Sequence, residues 1–342
     1  MKSALVTGAS GMLGSYIVKR LHADGWCVAA FVRDPARSAW LEEIGGTLIQ
    51  GDILDVGSLK KAAMGRDVIF HTAAAIGTGD SPSAIWTGNV VGTANLVQAA
   101  TIAGARVVHI STTSVFGRDR YHEKPTDESS PLPKLPQVDV YGRSKQDAEK
   151  VILSAHSRGR IWGCIIRPPV MYGRHDRQFL PRIAPLLRRG IFPLIGGGHT
   201  TLTVVHASSV ADGAVRAATR FTAGGKIYHL TNDFELTLAD FVALAEKGLG
   251  RRIKTVDVSM RMGQAGFRTL ALLLSTVRRR DLAQHMRGVF DLLARDNPFT
   301  SKRARQELGW SPYMTPEIGI PEAFAWWKKN HASNGNAMQN GS

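Results

Sequence analysis

The apolar positions of this chain fall into short blocks separated by longer amphipathic segments. Residues 3 to 7 form a compact apolar run that reads as a buried strand, and a cluster of glycines follows at once. From 15 to about 23 the period lengthens to that of an amphipathic helix. The alternation then repeats, with strands over 27 to 32, 47 to 50 and 67 to 71, a helix with a small and apolar face from about 89 to 103, and a fifth strand over 106 to 110. Another helix starts at Tyr141, and a sixth strand covers 162 to 167. Strands alternating with helices at this pitch predict an α/β fold built on a doubly wound parallel sheet, a Rossmann architecture.

The turn after the first strand is Gly8 Ala9 Ser10 Gly11 Met12 Leu13 Gly14. Glycines there allow a tight turn and a close approach of backbone N–H groups to a pyrophosphate, and a helix start favours an anion. Gly8, Ser10, Gly11, Met12, Leu13 and Gly14 are therefore candidate cofactor contacts. The second strand ends in Val32 Arg33 Asp34 Pro35. An acidic side chain at such a tip holds the ribose 2′-hydroxyl of NAD, whereas an arginine accommodates the 2′-phosphate of NADP. Arg33 is preferred because Asp34 precedes Pro35 and is already in the turn, so NADP is expected and NAD is the alternative. Arg37 either assists or is simply solvated. Asp52 and Ile53, after the third strand, fall where an adenine edge would lie, and Ala73 and Ala74, after the fourth, are small enough for a cofactor to lie flat over the strand ends. His71 reads as a structural hydrogen-bonding histidine.

The fifth strand runs into the hydroxyls Ser111, Thr112, Thr113 and Ser114, at the carboxyl edge of the sheet where ligands bind in open α/β folds. Lys145 follows Tyr141 by four residues, which on a helix sets both side chains on one face a turn apart. A neighbouring ammonium favours the phenolate, and lowering a value normally near ~10 makes the phenol a usable acid and base. The spacing alone also occurs on solvated helix faces. It gains meaning from the glycine turn and the hydroxyls around it.

The composition changes this picture in three ways. At 342 residues the chain can hold a large sheet domain and a companion, and 44% apolar with 21% charged residues is ordinary for a globular protein. Residues 1–170 are assigned to the dinucleotide-binding unit and 171–330 to a substrate-binding cap, with part of 203–231 returning to the main sheet. The net charge of +15 is lopsided: residues 1–150 carry 16 Lys+Arg against 15 Asp+Glu, and residues 151–342 carry 27 against 13. Such asymmetry suits either an anionic partner or a solvated basic surface. No zinc-knuckle or aromatic-interleaved basic motif points to nucleic acid. The absence of a charged-then-apolar leader, and of any run near the roughly 18 apolar residues of a membrane span, predicts a cytoplasmic protein. Cys27 and Cys164 lie in apolar strand-like surroundings and are expected to be buried thiols.

Within the cap half, residues 176 to 190 read as a basic helix with Phe179, Leu180, Ile183, Leu186 and Leu187 as a core face, and glycines 196 to 198 interrupt the chain. The aliphatic stretch 267 to 277, which runs into Arg278 Arg279 Arg280, reads as a cap helix over an apolar pocket or as an amphipathic segment on an anionic membrane. The first reading is preferred, because any cap helix needs an apolar face. Residues 118 to 140 form a polar, proline-rich loop long enough to be functional, and the tail 333–342 is expected to be disordered.

Taken in order, TGASGMLG, GDILD, HTAA, the hydroxyls before VFG, YGRSK and RPPVMYG resemble the extended short-chain dehydrogenase/reductase family. Thr203 Val204 Val205 His206, then Val210 Ala211 Asp212, and residues 302 to 310 extend the likeness over nearly the whole chain. The resemblance implies that Tyr141 is the proton donor or acceptor, and that Lys145 holds the nicotinamide ribose and lowers the Tyr141 pKa. It places the carbonyl-binding hydroxyl on Thr112, five residues before Gly117, with Ser111 beside it as the alternative, and Pro168 at the cofactor. No metal is needed. The substrate is a small molecule, and the assembly a monomer or homodimer.

Two branches of that family compete. The Val32 Arg33 Asp34 Pro35 run resembles NADP-using reductases such as dihydroflavonol reductases and 3β-hydroxysteroid dehydrogenases, which implies a mid-sized, hydrophobic cyclic substrate. Nucleotide-sugar epimerases and dehydratases resemble the chain at Tyr141 Gly142. However, they carry an asparagine in an RxxN pattern where this chain has Pro168 Pro169 Val170 after Arg167, and an arginine and aspartate where it has Leu202 and Thr203. The reductase reading is preferred. A non-catalytic dinucleotide sensor is the third alternative, disfavoured because tyrosine and lysine are both present.

Overall fold

The computed structural model describes residues 2–76, 81–117, 126–188, 190–276, 290 and 294–331. Its centre is a parallel sheet of seven strands: β1 (Ser3–Thr7), β2 (Cys27–Val32), β3 (Gly46–Gln50), β4 (Val68–His71), β5 (Arg106–Ile110), β6 (Gly163–Arg167) and, from late in the chain, β10 (Ile227–His229). Their order across the sheet is β10-β6-β5-β4-β1-β2-β3. The order reverses between β1 and β4, and that switch point opens a crevice at the carboxyl ends of the strands. Parallel strands covered on both faces must be apolar on both, and β1, β5 and β6 are buried almost throughout.

One face is covered by α1 (Met12–Ala23) and α7 (Ala207–Thr219), with Ile17, Leu21, Val210 and Ala214 in its core. The other carries α2 (Val56–Ala63), α4 (Gly92–Ala103) and α5 (Val140–Ser157), packed over Leu5, Ile69, Val107 and Ile165. The short α3 (Pro82–Trp86) runs into α4 through a π-helical turn at Thr87–Val91. The helix read as starting near residue 89 is therefore one continuous rod with a bulge in it.

A third core belongs to the cap. It joins α6 (Leu180–Arg188), α8 (Leu238–Leu249) and the C-terminal α11 (Pro316–His331) around Ile183, Leu187, Phe241 and Phe324. Two small parallel pairings complete it: β7 (Val170–Tyr172) with β9 (Val204–His206), and β8 (Ile191–Ile195) with β11 (Lys254–Val258). Next along the chain comes α9 (Met260–Thr276). The helix α10 (Lys302–Leu308) does not join the cap: Ala304, Leu308 and Trp310 sit in the core beneath α1 and α7, so residues placed with the cap by sequence return to the main sheet.

Several elements differ from the sequence reading for identifiable reasons. Helix α1 begins at Met12, not at residue 15, because the glycine turn itself supplies the N-cap at Gly11 with no side-chain bond. Helix α6 starts four residues later than expected. The buried Asp176 carboxylate accepts the N–H groups of Gln178, Phe179 and Leu180 and holds the preceding turn. Cys164 is buried as expected, but Cys27 is exposed, since it opens β2 at the sheet margin opposite Ser3. Most side chains of the 267–277 stretch, Arg278 to Arg280, the loop segment 118–125 and the tail 333–342 lie outside the described residues. No helix among the described residues is long and apolar enough to cross a membrane.

Candidate active site

The carboxyl edge of the sheet gathers the residues singled out above. Gly8 has φ 68°, and a Cβ there would lie 2.7 Å from the Ala73 nitrogen, so the first turn and the exit of β4 touch backbone to backbone. At Gly14 a Cβ would meet the Gly8 carbonyl oxygen at 2.3 Å. The turn is therefore wound tightly against the first turn of α1, whose N-cap, Gly11, makes no side-chain cap bond, so that opening N–H groups are left for an anion. Ser10, Gly11, Met12 and Leu13 form this turn, and its glycines and uncapped N–H groups are the chemistry a pyrophosphate needs.

At the tip of β2, Arg33 is exposed. Asp34 is occupied: its carboxylate accepts the Arg37 N–H at 3.2 Å and pairs with the Arg37 guanidinium at 3.3 Å. The Asp52 carboxylate likewise accepts the Leu54 N–H at 2.9 Å, and Ile53 packs beside Gly92 on α4.

Helix α5 carries Tyr141 in its first turn, because the Asp139 side chain caps it by accepting the Gly142 N–H at 3.0 Å. The Thr112 hydroxyl stands near enough to the Tyr141 phenol to favour its anion, while its Oγ1 donates to Ser114 Oγ at 3.2 Å and accepts the Ser114 N–H at 3.1 Å. Of the two hydroxyls left open by sequence, Thr112 is the one that acts on the phenol, while Ser111 Oγ is buried with no hydrogen-bond partner among the described residues. Pro168 lies at the same edge, its carbonyl accepting the Thr113 N–H at 2.9 Å.

Lys145 is 2% exposed and its Nζ donates to the Ile110 carbonyl at 2.6 Å. Burial lowers its pKa to about 8, partly opposed by Glu149 one turn further on. Burial pushes the Tyr141 phenol up to about 12, and the Thr112 hydroxyl is the group that opposes this. The lowering of the phenol by Lys145 that the resemblance implied is not met here: desolvation raises the phenol, and the ammonium is turned to a backbone carbonyl.

Sequence reasoning missed the polar network beneath this pair. Asn89, 2% exposed in the π turn, donates to the Ala75 carbonyl and to Ser144 Oγ, both at 2.9 Å, and accepts the Ala75 N–H at 2.8 Å. Ser144 Oγ donates to the Tyr141 carbonyl at 2.8 Å. The Thr93 hydroxyl spends its proton on the Asn89 carbonyl at 2.6 Å, so it accepts from His71 Nε2 at 3.0 Å, and His71 Nδ1 accepts from the Thr7 hydroxyl at 2.8 Å. His71 is held neutral, its pKa lowered to about 3 by burial and then by Lys145. A lone asparagine in a helix of small residues was the only signal for this brace. Deeper still, Arg167 makes a two-pronged pair with Glu149 at 2.7 and 2.8 Å, both 2% exposed. A cavity of about 380 Å³ between His175, Arg177, Pro181 and Trp326 includes none of these residues and lies away from the chemistry.

Among the described residues no group of His, Cys, Asp and Glu could hold a metal ion. Residues 4–230 match the model of the NAD dependent epimerase/dehydratase family. The chain is 30% identical over 316 residues to 4-hydroxy-2-methyl-3-oxo-4-farnesyl-3,4-dihydroquinoline-1-oxide ketoreductase of Stigmatella aurantiaca, covering 92% of this chain and 93% of that protein. It is 28% identical over 342 residues to the 3-beta-hydroxysteroid dehydrogenase of Mycolicibacterium neoaurum, covering 94% and 90%. Its fold matches the crystal structure of UDP-glucuronic acid 4-epimerase from Bacillus cereus in complex with NAD, at TM-score 0.73 and 20% identity over 96% of this chain and 99% of that one. With the glycine cradle, the Thr112, Tyr141 and Lys145 constellation and these matches together, the chain belongs to the NAD dependent epimerase/dehydratase family, the extended short-chain dehydrogenases/reductases, and is an NAD(P)-dependent enzyme of that family.

Proposed function

We propose that the protein is an NADP(H)-dependent oxidoreductase that moves a hydride between nicotinamide and a carbonyl or secondary alcohol of a mid-sized, hydrophobic cyclic substrate. The observation that carries this reading is the meeting of Thr112, Tyr141 and the buried Lys145 at the carboxyl end of β5, where the Lys145 Nζ donates to the Ile110 carbonyl at 2.6 Å. The bound dinucleotide supplies the hydride. In the reducing direction the substrate oxygen gains negative charge, and the Thr112 and Tyr141 hydroxyls donate to it where that charge develops. Tyr141 then gives up its proton, so the product is the neutral alcohol and the phenolate remains. Lys145 lies one turn along α5 with its Nζ given to the Ile110 carbonyl, and Asn89 with Ser144 fixes the start of α5 from below.

A reductase of hydrophobic carbonyls is favoured over a nucleotide-sugar enzyme because Leu202 and Thr203 are both 2% exposed, so neither reaches out to grip a diphosphate. The two relatives named as a ketoreductase and a hydroxysteroid dehydrogenase point the same way, and the epimerase neighbour speaks only to the fold. NADP is favoured over NAD because Asp34 is committed to its own turn and Arg33 is open to solvent. Oxidation and reduction assays across cyclic ketones, flavonoids, sterols and nucleotide sugars test the substrate class, and turnover of nucleotide sugars alone would contradict it. For the cofactor, Arg33→Ala is expected to weaken NADPH by roughly 10- to 100-fold, the worth of a charge-assisted contact, and to leave NADH nearly unchanged. Equal losses for both dinucleotides would contradict the assignment.

A further inference from the structure

The segment that leads into α5 is locked to the catalytic residues by contacts that neither the hydrophobic pattern nor the reaction requires. Leu135 is 7% exposed. Its two methyl groups fill the places where side chains would stand at two glycines: a Cβ on Gly117 would lie 2.7 Å from Leu135 Cδ2, and a Cβ on Gly142 would lie 2.8 Å from Leu135 Cδ1. Gly117 closes the short 3₁₀ turn Thr113–Phe116, whose N-cap is Thr112, and Gly142 directly follows Tyr141. One leucine thus touches the element bearing Thr112 and the element bearing Tyr141.

Gln146 makes the same connection in hydrogen bonds. Its side-chain amide spends both N–H groups on carbonyls, donating to Val115 in the 3₁₀ turn at 2.8 Å and to Pro133 at 3.0 Å. The turn behaves as a unit, with the Ser114 N–H given to Thr112 Oγ1 and the Gly117 N–H to the Ser114 carbonyl. A shift at Val115 or Gly117 is therefore passed to Thr112.

We propose that Leu135 and Gln146 are positioning residues that clamp the Thr112 turn against the start of α5 and so set the approach of the Thr112 hydroxyl to Tyr141. The proposal rests on the reading of Thr112 and Tyr141 as the proton-transfer pair. It also gives the glycine at 142 a packing reason: a side chain there would expel Leu135, so the Tyr141 Gly142 pairing says nothing about a sugar substrate.

The test is a set of variants assayed with NADPH and NADP in both directions, with Tyr141→Phe alongside. Leu135→Ala and Gln146→Ala are each expected to lower kcat by about 10-fold or more, since misplacement of reacting groups by ~1 Å costs up to ~100-fold. The KM for NADPH is expected to stay unchanged. Because the Thr112 contact favours the phenolate, loosening it moves the pH at which alcohol oxidation turns on upward. Leu135→Met is expected to restore both kcat and that midpoint. Wild-type kcat and pH midpoint in both Leu135→Ala and Gln146→Ala would overturn the clamp. If Tyr141→Phe keeps its turnover, the underlying reading fails instead, whatever the clamp variants do.

Discussion

Replacing Tyr141 by phenylalanine is expected to lower turnover of every carbonyl substrate by roughly 10²- to 10⁴-fold, the usual worth of a positioned acid or base. The ring is kept, so the packing of the first turn of α5 is kept with it. Only the hydroxyl that meets Thr112 is lost. Dinucleotide binding is expected to survive, because the glycine cradle and Arg33 are on other elements. A pH profile separates this from a structural effect. With the phenol pushed up to about 12, Tyr141 carries its proton at neutral pH, the form that donates in reduction. Reduction by the native enzyme should therefore hold across neutral pH, while oxidation should rise as the medium becomes alkaline and the phenol can lose its proton. The residual activity of Tyr141→Phe should lack that alkaline rise. Unchanged kcat with unchanged pH dependence would remove Tyr141 from the chemistry.

The second large effect is on stability. Arg167→Met is expected to cost about 3–5 kcal/mol in denaturant unfolding, because it leaves the Glu149 carboxylate buried between sheet and helix without its partner. The guanidinium also lies 5.1 Å from the Phe116 ring, so packing of the Thr112 turn is lost along with charge. Glu149→Leu added to Arg167→Met should recover most of the loss, since an apolar pair of similar volume needs no compensation. A loss below about 1 kcal/mol for the single variant, a level typical of exposed pairs, would mean that the pair is solvated. The consequence reaches the chemistry, because Glu149 opposes the depression of the Lys145 pKa from one turn away.

The strands β1, β2 and β5 lie where the apolar runs put them, because strands buried on both faces are short apolar blocks that end at glycine or polar turns. The order of motifs made the cradle, Tyr141 and Lys145 legible for the same reason: each sits at a strand end or a helix start that local pattern marks. What stayed hidden depends on contacts distant in sequence. The hydrogen bonds of Asn89 to Ala75 and Ser144 need the π turn, which leaves no trace in the hydrophobic period. The burial of Arg167 against Glu149 and the seating of Leu135 between Gly117 and Gly142 join residues 18 apart or reach across a loop. Exposure of Cys27 follows from its place at the margin of the sheet, not from its apolar neighbours. The electrostatics of Tyr141 also needed coordinates, since burial of the hydroxyl, invisible in a Tyr–Lys spacing, sets the direction of its shift.

The most direct measurement is isotope transfer. The enzyme is incubated with NADPH deuterated at the transferable C4 position and with ketones drawn from the active part of the panel, and the products are analysed by mass spectrometry. The alcohol is expected to carry deuterium on its carbinol carbon, with one NADP formed per alcohol, and Tyr141→Phe is expected to form this product roughly 10²- to 10⁴-fold more slowly. Isomerised nucleotide sugar with no net consumption of NADPH, together with ketones returned unreduced, would contradict it.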